Sequence, residues 1–202
     1  FSSRDSWNEW RRGTGNPNVI GQTSSDWGGI AQVISFGGIV DLTYGTVLHE
    51  VGHLYQNEFA APSFPAGSWW TEGNATFFEL NQQYDIEQRV RNLATSGNLP
   101  ALLQGTGPNP AGTGPDGVGR LGYDVGYTFF KWMVLNYGLE VHLEIVEAMS
   151  GNTPRNVALE AVTGLSIQEL ESRWRVWLGA SPEAPTLIPT QPILFPPTPT
   201  PF

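Results

Sequence analysis

The sequence predicts an α+β fold, with a small β-sheet lobe near the N-terminus and a mainly helical lobe after it. The stretch GIAQVISF at 29–36 combines β-branched and aromatic residues in partial alternation, which is typical of a strand. Helical patterns, with apolar residues every three or four positions, then follow as far as residue 180. The 202 residues correspond to a single domain, which we expect to occupy residues 1–180.

The first predicted helix begins near Asp41 or Thr43, either of which can cap it, and ends before Pro62. Val47 and Val51 belong to an apolar series at helical spacing along this segment. Such a series predicts that one side of the helix is buried.

The other helices are recognised by the residues at their ends. They are expected over residues 70–84, 87–96, 123–137 and 139–149, with one more that begins at Thr153-Pro154 and a last one that the capping box Ser166–Glu169 opens. Glycine and proline dominate residues 105–119, so we expect a loop there, and a loop of this length is expected to border a cleft. Residues 181–202 are rich in proline and threonine, which predicts an extended linker or tail.

Charge and composition exclude several classes of partner. The formal net charge is -9, with only ten lysines and arginines, so the basic face that nucleic acid requires is missing. No apolar run has the length of a membrane span. Cysteine is absent, which excludes disulfides and thiolate metal ligands. The oligomeric state is left open.

The ends of the chain favour an exported protein. The sequence begins Phe-Ser-Ser without methionine, and it contains no signal peptide. We therefore expect a trimmed or mature form of a secreted bacterial protein, located outside the cell, at its surface or in the periplasm. The proline-rich end is consistent with a tether to another part.

The motif HEVGH at 49–53 predicts a metal site. His49 and His53 lie four residues apart on a predicted helix, so both imidazoles project from the same side and can share one ion. Glu50 can reach a water beside the ion without itself becoming a ligand. Zinc with three protein ligands and an open position makes such a water a nucleophile near neutral pH. A chance HExxH occurs on the order of once in tens of thousands of windows, so we regard chance as the weaker interpretation.

The third ligand is expected to be a carboxylate. A HExxHxxGxxH pattern would need histidine at position 59, where the chain has Phe59. Glu72 lies nineteen residues after His53, a gap that accommodates a turn and a second antiparallel helix. The alternative interpretation of Glu72 is a carboxylate that stabilises a helix N-terminus. Two weaker candidates are Asp116, whose GTGPD context faintly resembles the aspzincin GTxxD pattern, and His142, which a surface helix also explains.

Together, HEVGH (49–53) and TEGNATFFE (71–79) resemble the gluzincin metallopeptidases, in which a glutamate follows HExxH after eighteen intervening residues. The nearest resemblance is to the bacterial peptidase MA-like group, which is related to the aminopeptidases of peptidase family M1. It covers roughly residues 29–178 and implies a zincin-like fold with the HExxH helix at a cleft between two lobes. It also implies that His49, His53 and Glu72 bind one zinc ion and that Glu50 is the general base and acid.

The resemblance extends to two further residues. Glu79 matches an acid whose implied task is to support a ligand histidine, although a surface helix acid is an equal alternative. Tyr123 begins Tyr-Asp-Val-Gly, which resembles a segment whose tyrosine donates to the oxyanion of the tetrahedral intermediate. Tyr127, one turn later, is the alternative donor. A buried aromatic without a catalytic role is the other interpretation of Tyr123.

Two departures limit what the resemblance implies. The M1 aminopeptidases carry a G-x-M-E-N stretch, but the corresponding residues here read SSDWGG (24–29), with Ser25 at the glutamate position and Asp26 the only acid nearby. Aminopeptidase specificity is therefore not implied. The chain is also short for this family, so we expect part of the family's N-terminal sheet to be missing from it.

The sequence thus predicts a zinc-dependent peptidase for a peptide or protein substrate, bound as an added strand along residues 29–36. One alternative is a peptide-binding or surface module that keeps zinc for structure and has little or no turnover. Another is a zinc hydrolase for non-peptide substrates. The natural substrate, endo- or exo-cleavage, a propeptide and any additional structural metal stay open.

Overall fold

A computed structural model describes residues 4–10, 21–24, 29–32, 40–59, 68–80, 82 and 84–184 of the chain. This part is mostly helical, as predicted for the C-terminal lobe. Its elements are α1 (Arg4–Trp10), β1 (Gly21–Ser24), β2 (Gly29–Gln32), α2 (Val40–Phe59), α3 (Ser68–Phe77), α4 (Ile86–Thr95), α5 (Leu121–Tyr137), α6 (Val141–Ala148), a short 3-10 turn (Ser150–Asn152), α7 (Arg155–Thr163) and α8 (Ile167–Leu178). None of the helices described is long and apolar enough to cross a membrane.

The predicted sheet lobe corresponds, within the described residues, to one pair of short strands. β1 and β2 are antiparallel, with Gly21 opposite Gln32 and Ser24 opposite Gly29. β2 confirms the start of the predicted strand, and its expected continuation over 33–36 lies outside the described residues. β1 and α1 were not predicted. The predicted tail is described only as far as residue 184.

The core forms where α3, α5 and α8 meet. α5 is apolar on most sides, which is typical of a helix that is surrounded by others. The Trp70 ring of α3 lies 4.6 Å from that of Phe130 on α5, and Phe129 lies 6.3 Å from Trp174 on α8. All four side chains are at most 1% exposed. Complete burial of a large apolar side chain contributes about 1.5–3 kcal/mol, so this cluster holds the three helices together.

Helices α3 and α5 touch backbone to backbone at two glycines. A Cβ atom built on Gly73 would lie 2.5 Å from the Cα of Gly126, and one built on Gly126 would lie 2.7 Å from the carbonyl oxygen of Trp69. The contact therefore requires glycine on both helices. The contact also sets the positions of two candidate site residues relative to each other. Glu72 immediately precedes Gly73, and Tyr123 lies one turn before Gly126.

The long glycine-rich loop is tied to α4 by a partly buried arginine. Arg89 donates to Asp116 Oδ2 at 2.8 Å and to the carbonyl oxygen of Val118 at 2.9 Å. The same guanidinium pairs with Asp124 at the start of α5, and the Tyr84 hydroxyl donates to Asp124 Oδ2 at 2.8 Å. Asp116 thus forms an ion pair with Arg89, and this contact explains its position without a metal.

Two local predictions were wrong. The second predicted helix was expected to continue to residue 84, but α3 ends at Phe77. Asp85 caps the next helix by accepting from the Gln88 amide, so the chain starts α4 anew. Val47 and Val51 are 37% and 45% exposed, although their spacing predicted a buried face.

Candidate metal centre

Three potential metal ligands converge between α2 and α3. His49 Nε2 lies 3.2 Å from Glu72 Oε2, and His53 Nε2 lies 3.5 Å from the same oxygen. One ligand atom from each of the three residues lies within 4.8 Å of those of the other two. Ligand atoms about 2.1 Å from a tetrahedral zinc ion are about 3.4 Å apart, so the two histidine–glutamate distances suit that ion. The structure thus brings together the three residues that the sequence singled out.

His49 is oriented from both sides of its ring. Its Nδ1 lies 2.8 Å from Glu79 Oε1, while its Nε2 faces Glu72. A carboxylate only accepts, so a neutral His49 that bonds Glu79 carries its hydrogen on Nδ1, and the lone pair of Nε2 is then available to a metal. The contact with Glu79 is the one expected of an acid that supports a ligand histidine. Arg120 Nη2 lies 3.5 Å from the same carboxylate oxygen of Glu79.

The electrostatics of the cluster suit a cation. Burial acts to lower the pKa of His49, but hydrogen bonds with Glu72 and Glu79 outweigh it and raise the pKa to about 9. Burial acts to raise the pKa of Glu72, but hydrogen bonds with His49 and His53 hold it well below its usual range. Without a metal, the site therefore favours the doubly protonated, cationic form of His49. A divalent cation bound at Nε2 would supply positive charge in place of the second proton, so the donor set fits zinc.

Glu50, which follows the potential ligand His49 in the chain, is buried, and only 7% of it is exposed. The Thr23 hydroxyl on β1 lies 2.5 Å from Glu50 Oε2 and 3.0 Å from the Glu50 carbonyl oxygen. A Cβ atom on Gly21 would lie 2.6 Å from Glu50 Oε1, so β1 approaches closely because this residue is glycine. β1 is thus the strand with these contacts to Glu50, and the substrate edge expected at residues 29–36 stays a prediction.

Tyr123 lies at the cluster, whereas Tyr127 contacts other residues. The ring centroids of Tyr123 and His49 are 5.8 Å apart, with the rings inclined by 21°. Burial, together with the charge of Glu72 and a hydrogen bond with it, raises the pKa of the Tyr123 hydroxyl above its usual range. The hydroxyl therefore keeps its proton and can donate. Tyr127 instead packs 6.2 Å from Phe77 and lies under the Lys131 ammonium.

His142 is not one of the three converging residues. It is only 6% exposed, so the expected surface position was wrong. Its ring lies 4.9 Å from that of Phe77 and 5.3 Å from that of Phe130. Its Nδ1 lies 2.7 Å from Asn74 Nδ2. These contacts place His142 in the core behind the candidate metal centre.

Burial of His142 predicts a loss of stability in mild acid. Burial lowers the pKa of His142 to about 4, whereas an unfolded histidine has a pKa of about 6.5. Stability is therefore full above pH 6.5 and falls as the pH drops toward 4, because only the unfolded chain takes up the proton. Between pH 7 and pH 5 we expect this residue to cost about 2 kcal/mol of unfolding free energy. Urea titrations of wild type and His142→Gln should show the smaller pH dependence in the variant, and equal dependences would contradict this.

Three residues near the site escaped sequence reasoning. Thr23 and Arg120 come from segments without a recognisable pattern. Gln56 had a local signal, because it follows His53 by three residues and so shares its side of the helix. Ser25 and Asp26, the residues at the place of the aminopeptidase glutamate, lie outside the described residues.

Comparisons of the chain with protein-family models, with curated proteins and with solved structures found no match.

Proposed function

We propose that this protein is a zinc-dependent metallopeptidase of the gluzincin type, with a zincin-like arrangement around its HExxH helix. The observation that carries the proposal is the convergence of His49, His53 and Glu72, with Glu50 buried beside them. Two imidazoles and a carboxylate form a known ligand set of catalytic zinc sites.

An open metal position supports turnover over a purely structural role. Structural zinc sites are usually closed by four protein ligands, whereas catalytic sites keep one position free. Among the residues described, the cluster combines His49, His53 and Glu72 and includes no fourth acid or histidine. This favours an enzyme over a binding module that retains zinc for stability alone.

Each side chain has a distinct task in the proposed reaction. His49, His53 and Glu72 would hold zinc, which activates water and polarises a carbonyl group. Glu50 takes the proton that the attacking water loses and passes it to the leaving amine. Its burial next to Thr23 keeps the carboxylate in one place for both transfers. Tyr123 donates a hydrogen bond to the oxygen on which negative charge develops.

Tyr123→Phe should lower turnover without releasing the metal. The variant keeps the ring beside His49 but removes the hydroxyl donor, so we expect kcat/KM to fall by about 10²–10³-fold. Zinc content should stay at the wild-type level, because the hydroxyl belongs to none of the three proposed ligands. Tyr127→Phe is the matched control and should retain wild-type kcat/KM. If Tyr127→Phe lost activity and Tyr123→Phe did not, Tyr127 would be the oxyanion donor and the assignment of Tyr123 would be wrong.

The proposed function is tested by the cleavage of a mixed peptide library, followed by mass spectrometry. The zinc-loaded protein is compared with a chelator-treated sample and with the same sample after zinc is returned. Cleavage that disappears with the chelator and returns with zinc is the expected result, and the cut sites distinguish endo- from exo-cleavage. If the protein bound one zinc per chain and cut no peptide, peptidase activity would be overturned in favour of a binding module or a non-peptide hydrolase.

A further inference from the structure

A backbone carbonyl determines the orientation of the Gln56 side chain. Gln56 Nε2 donates to the carbonyl oxygen of Thr71 at 3.1 Å. Because a carbonyl can only accept, the NH₂ group of Gln56 must point toward Thr71. The other end of the amide, Oε1, then lies 3.4 Å from His53 Nδ1.

The orientation of Gln56 determines which nitrogen of a neutral His53 carries the hydrogen. Gln56 Oε1 is an acceptor only, so His53 Nδ1 is the donor in this contact. The lone pair of a neutral His53 is then on Nε2, the nitrogen that faces Glu72 at 3.5 Å. Gln56 thus accepts from His53 Nδ1 as Glu79 accepts from His49 Nδ1.

Gln56 is the first of three buried side chains that are linked by hydrogen bonds, followed by Asn74 and then His142. Gln56 Nε2 also donates to Asn74 Oδ1 at 2.8 Å, which leaves Asn74 Nδ2 to donate to His142 Nδ1 at 2.7 Å. Gln56, Asn74 and His142 are 3%, 2% and 6% exposed. His142 therefore carries its hydrogen on Nε2, an atom that is buried without a hydrogen-bond partner in the part of the chain described.

The distances show where the chain of hydrogen bonds is firm. The Gln56–Asn74 and Asn74–His142 contacts, at 2.8 Å and 2.7 Å, have ordinary hydrogen-bond lengths. The distance of 3.4 Å between His53 Nδ1 and Gln56 Oε1 exceeds the usual range for an N–H···O bond. The anchors thus fix Gln56 more firmly than His53 does. Buried polar groups with satisfied partners are rigid, and such rigidity is what a supporting group must provide to a metal ligand.

We propose that Gln56 is a positioning residue that fixes the tautomer and orientation of His53, and that Asn74 and His142 lock Gln56 in place. This inference rests on the proposed metal site, because it assigns His53 Nε2 to the metal. It extends that site by three buried side chains, two of which lie in α3 and α6, outside the HExxH helix. His142 thereby supports a ligand and is not itself one.

The first experiment tests the direction of the chain of hydrogen bonds in the metal-free protein. The sequence contains three histidines, so a long-range ¹H–¹⁵N correlation spectrum resolves every imidazole. We expect His142 to carry its hydrogen on Nε2. In Asn74→Asp the carboxylate cannot donate, so the His142 hydrogen should move to Nδ1. Wild-type His142 with its hydrogen on Nδ1 would overturn the proposed direction.

The second experiment measures the zinc affinity of two Gln56 variants against a chromophoric chelator. Gln56→Met keeps the length of the side chain but removes the acceptor, and we expect its zinc dissociation constant to rise by about 10–100-fold. Gln56→Glu keeps an acceptor for His53 Nδ1 but loses the donations to Thr71 and Asn74, so we expect its zinc affinity to lie between those of Gln56→Met and wild type. Circular dichroism melts of the metal-free variants identify any loss of folding.

The outcomes separate this inference from the proposed function. If wild type and Gln56→Met bound zinc equally well, Gln56 would have no positioning role, although the metal site would stand. If folded Gln56→Glu bound zinc no better than folded Gln56→Met, the acceptor explanation would be wrong. If wild type bound no zinc at all, the proposed function would fail and the positioning role with it. In that case, the His142 tautomers would still decide the direction of the hydrogen bonds.

Discussion

Replacement of Glu50 by glutamine should abolish peptide hydrolysis while the protein keeps its zinc. Glutamine has nearly the shape of glutamate but cannot accept the proton of the attacking water, so we expect kcat to fall by about 10²–10⁴-fold. Zinc binding should persist, because Glu50 lies beside the three proposed ligands and is not one of them. The measurement is kcat on a library-derived peptide, together with zinc content per chain.

The surroundings of Glu50 make this substitution conservative for the fold. The Thr23 hydroxyl can donate to the carbonyl oxygen of a glutamine as it does to Glu50 Oε2. Glu160→Gln, at an exposed position of α7, is the matched control for the loss of one acidic charge and should leave kcat unchanged. Wild-type turnover in a zinc-loaded Glu50→Gln protein would show that another group accepts the proton.

Sequence reasoning was most successful where the geometry is local. His49 and His53 project together because they are four residues apart on one helix, which any α-helix of this sequence would ensure. Glu72 required only that the intervening residues return the chain over the histidines. The Ser166 cap of α8 is likewise a local signal, and its hydroxyl accepts from the Glu169 amide as predicted.

Contacts between distant segments could not be predicted in this way. β1 reads GQTS, which has no alternation of apolar residues, so nothing in its pattern indicates a strand or a contact with Glu50. The apolar spacing that includes Val47 and Val51 marks one side of α2 but does not reveal whether another element covers it, and both side chains are exposed. His142 has acids nearby in sequence, yet its environment is set by aromatic rings from α3 and α5.

The largest effect on stability is expected from Gly73→Ala. The new Cβ atom would lie 2.5 Å from Gly126 Cα, 2.7 Å from its carbonyl carbon and 3.0 Å from the Tyr127 amide nitrogen. All three are backbone atoms, so no side-chain rotation relieves the clash and the two helices must separate. Alanine favours a helix over glycine by about 1 kcal/mol, but forced overpacking costs about 1–3 kcal/mol or more. Because every clashing atom is backbone, we take the upper end, about 3 kcal/mol, and expect a net loss of about 2 kcal/mol, measured as a lower urea midpoint.

Gly119→Ala is the matched control for Gly73→Ala. No atom lies within 4 Å of a Cβ built at Gly119, so we expect its unfolding free energy to stay within about 0.5 kcal/mol of wild type. A shift of α3 also displaces Glu72, which immediately precedes Gly73, relative to His49 and His53, so folded Gly73→Ala protein should bind zinc less tightly than Gly119→Ala. Wild-type stability and zinc affinity in Gly73→Ala would mean that α3 and α5 do not cross at the two glycines. The close crossing would then not be what positions Glu72 over the histidine pair.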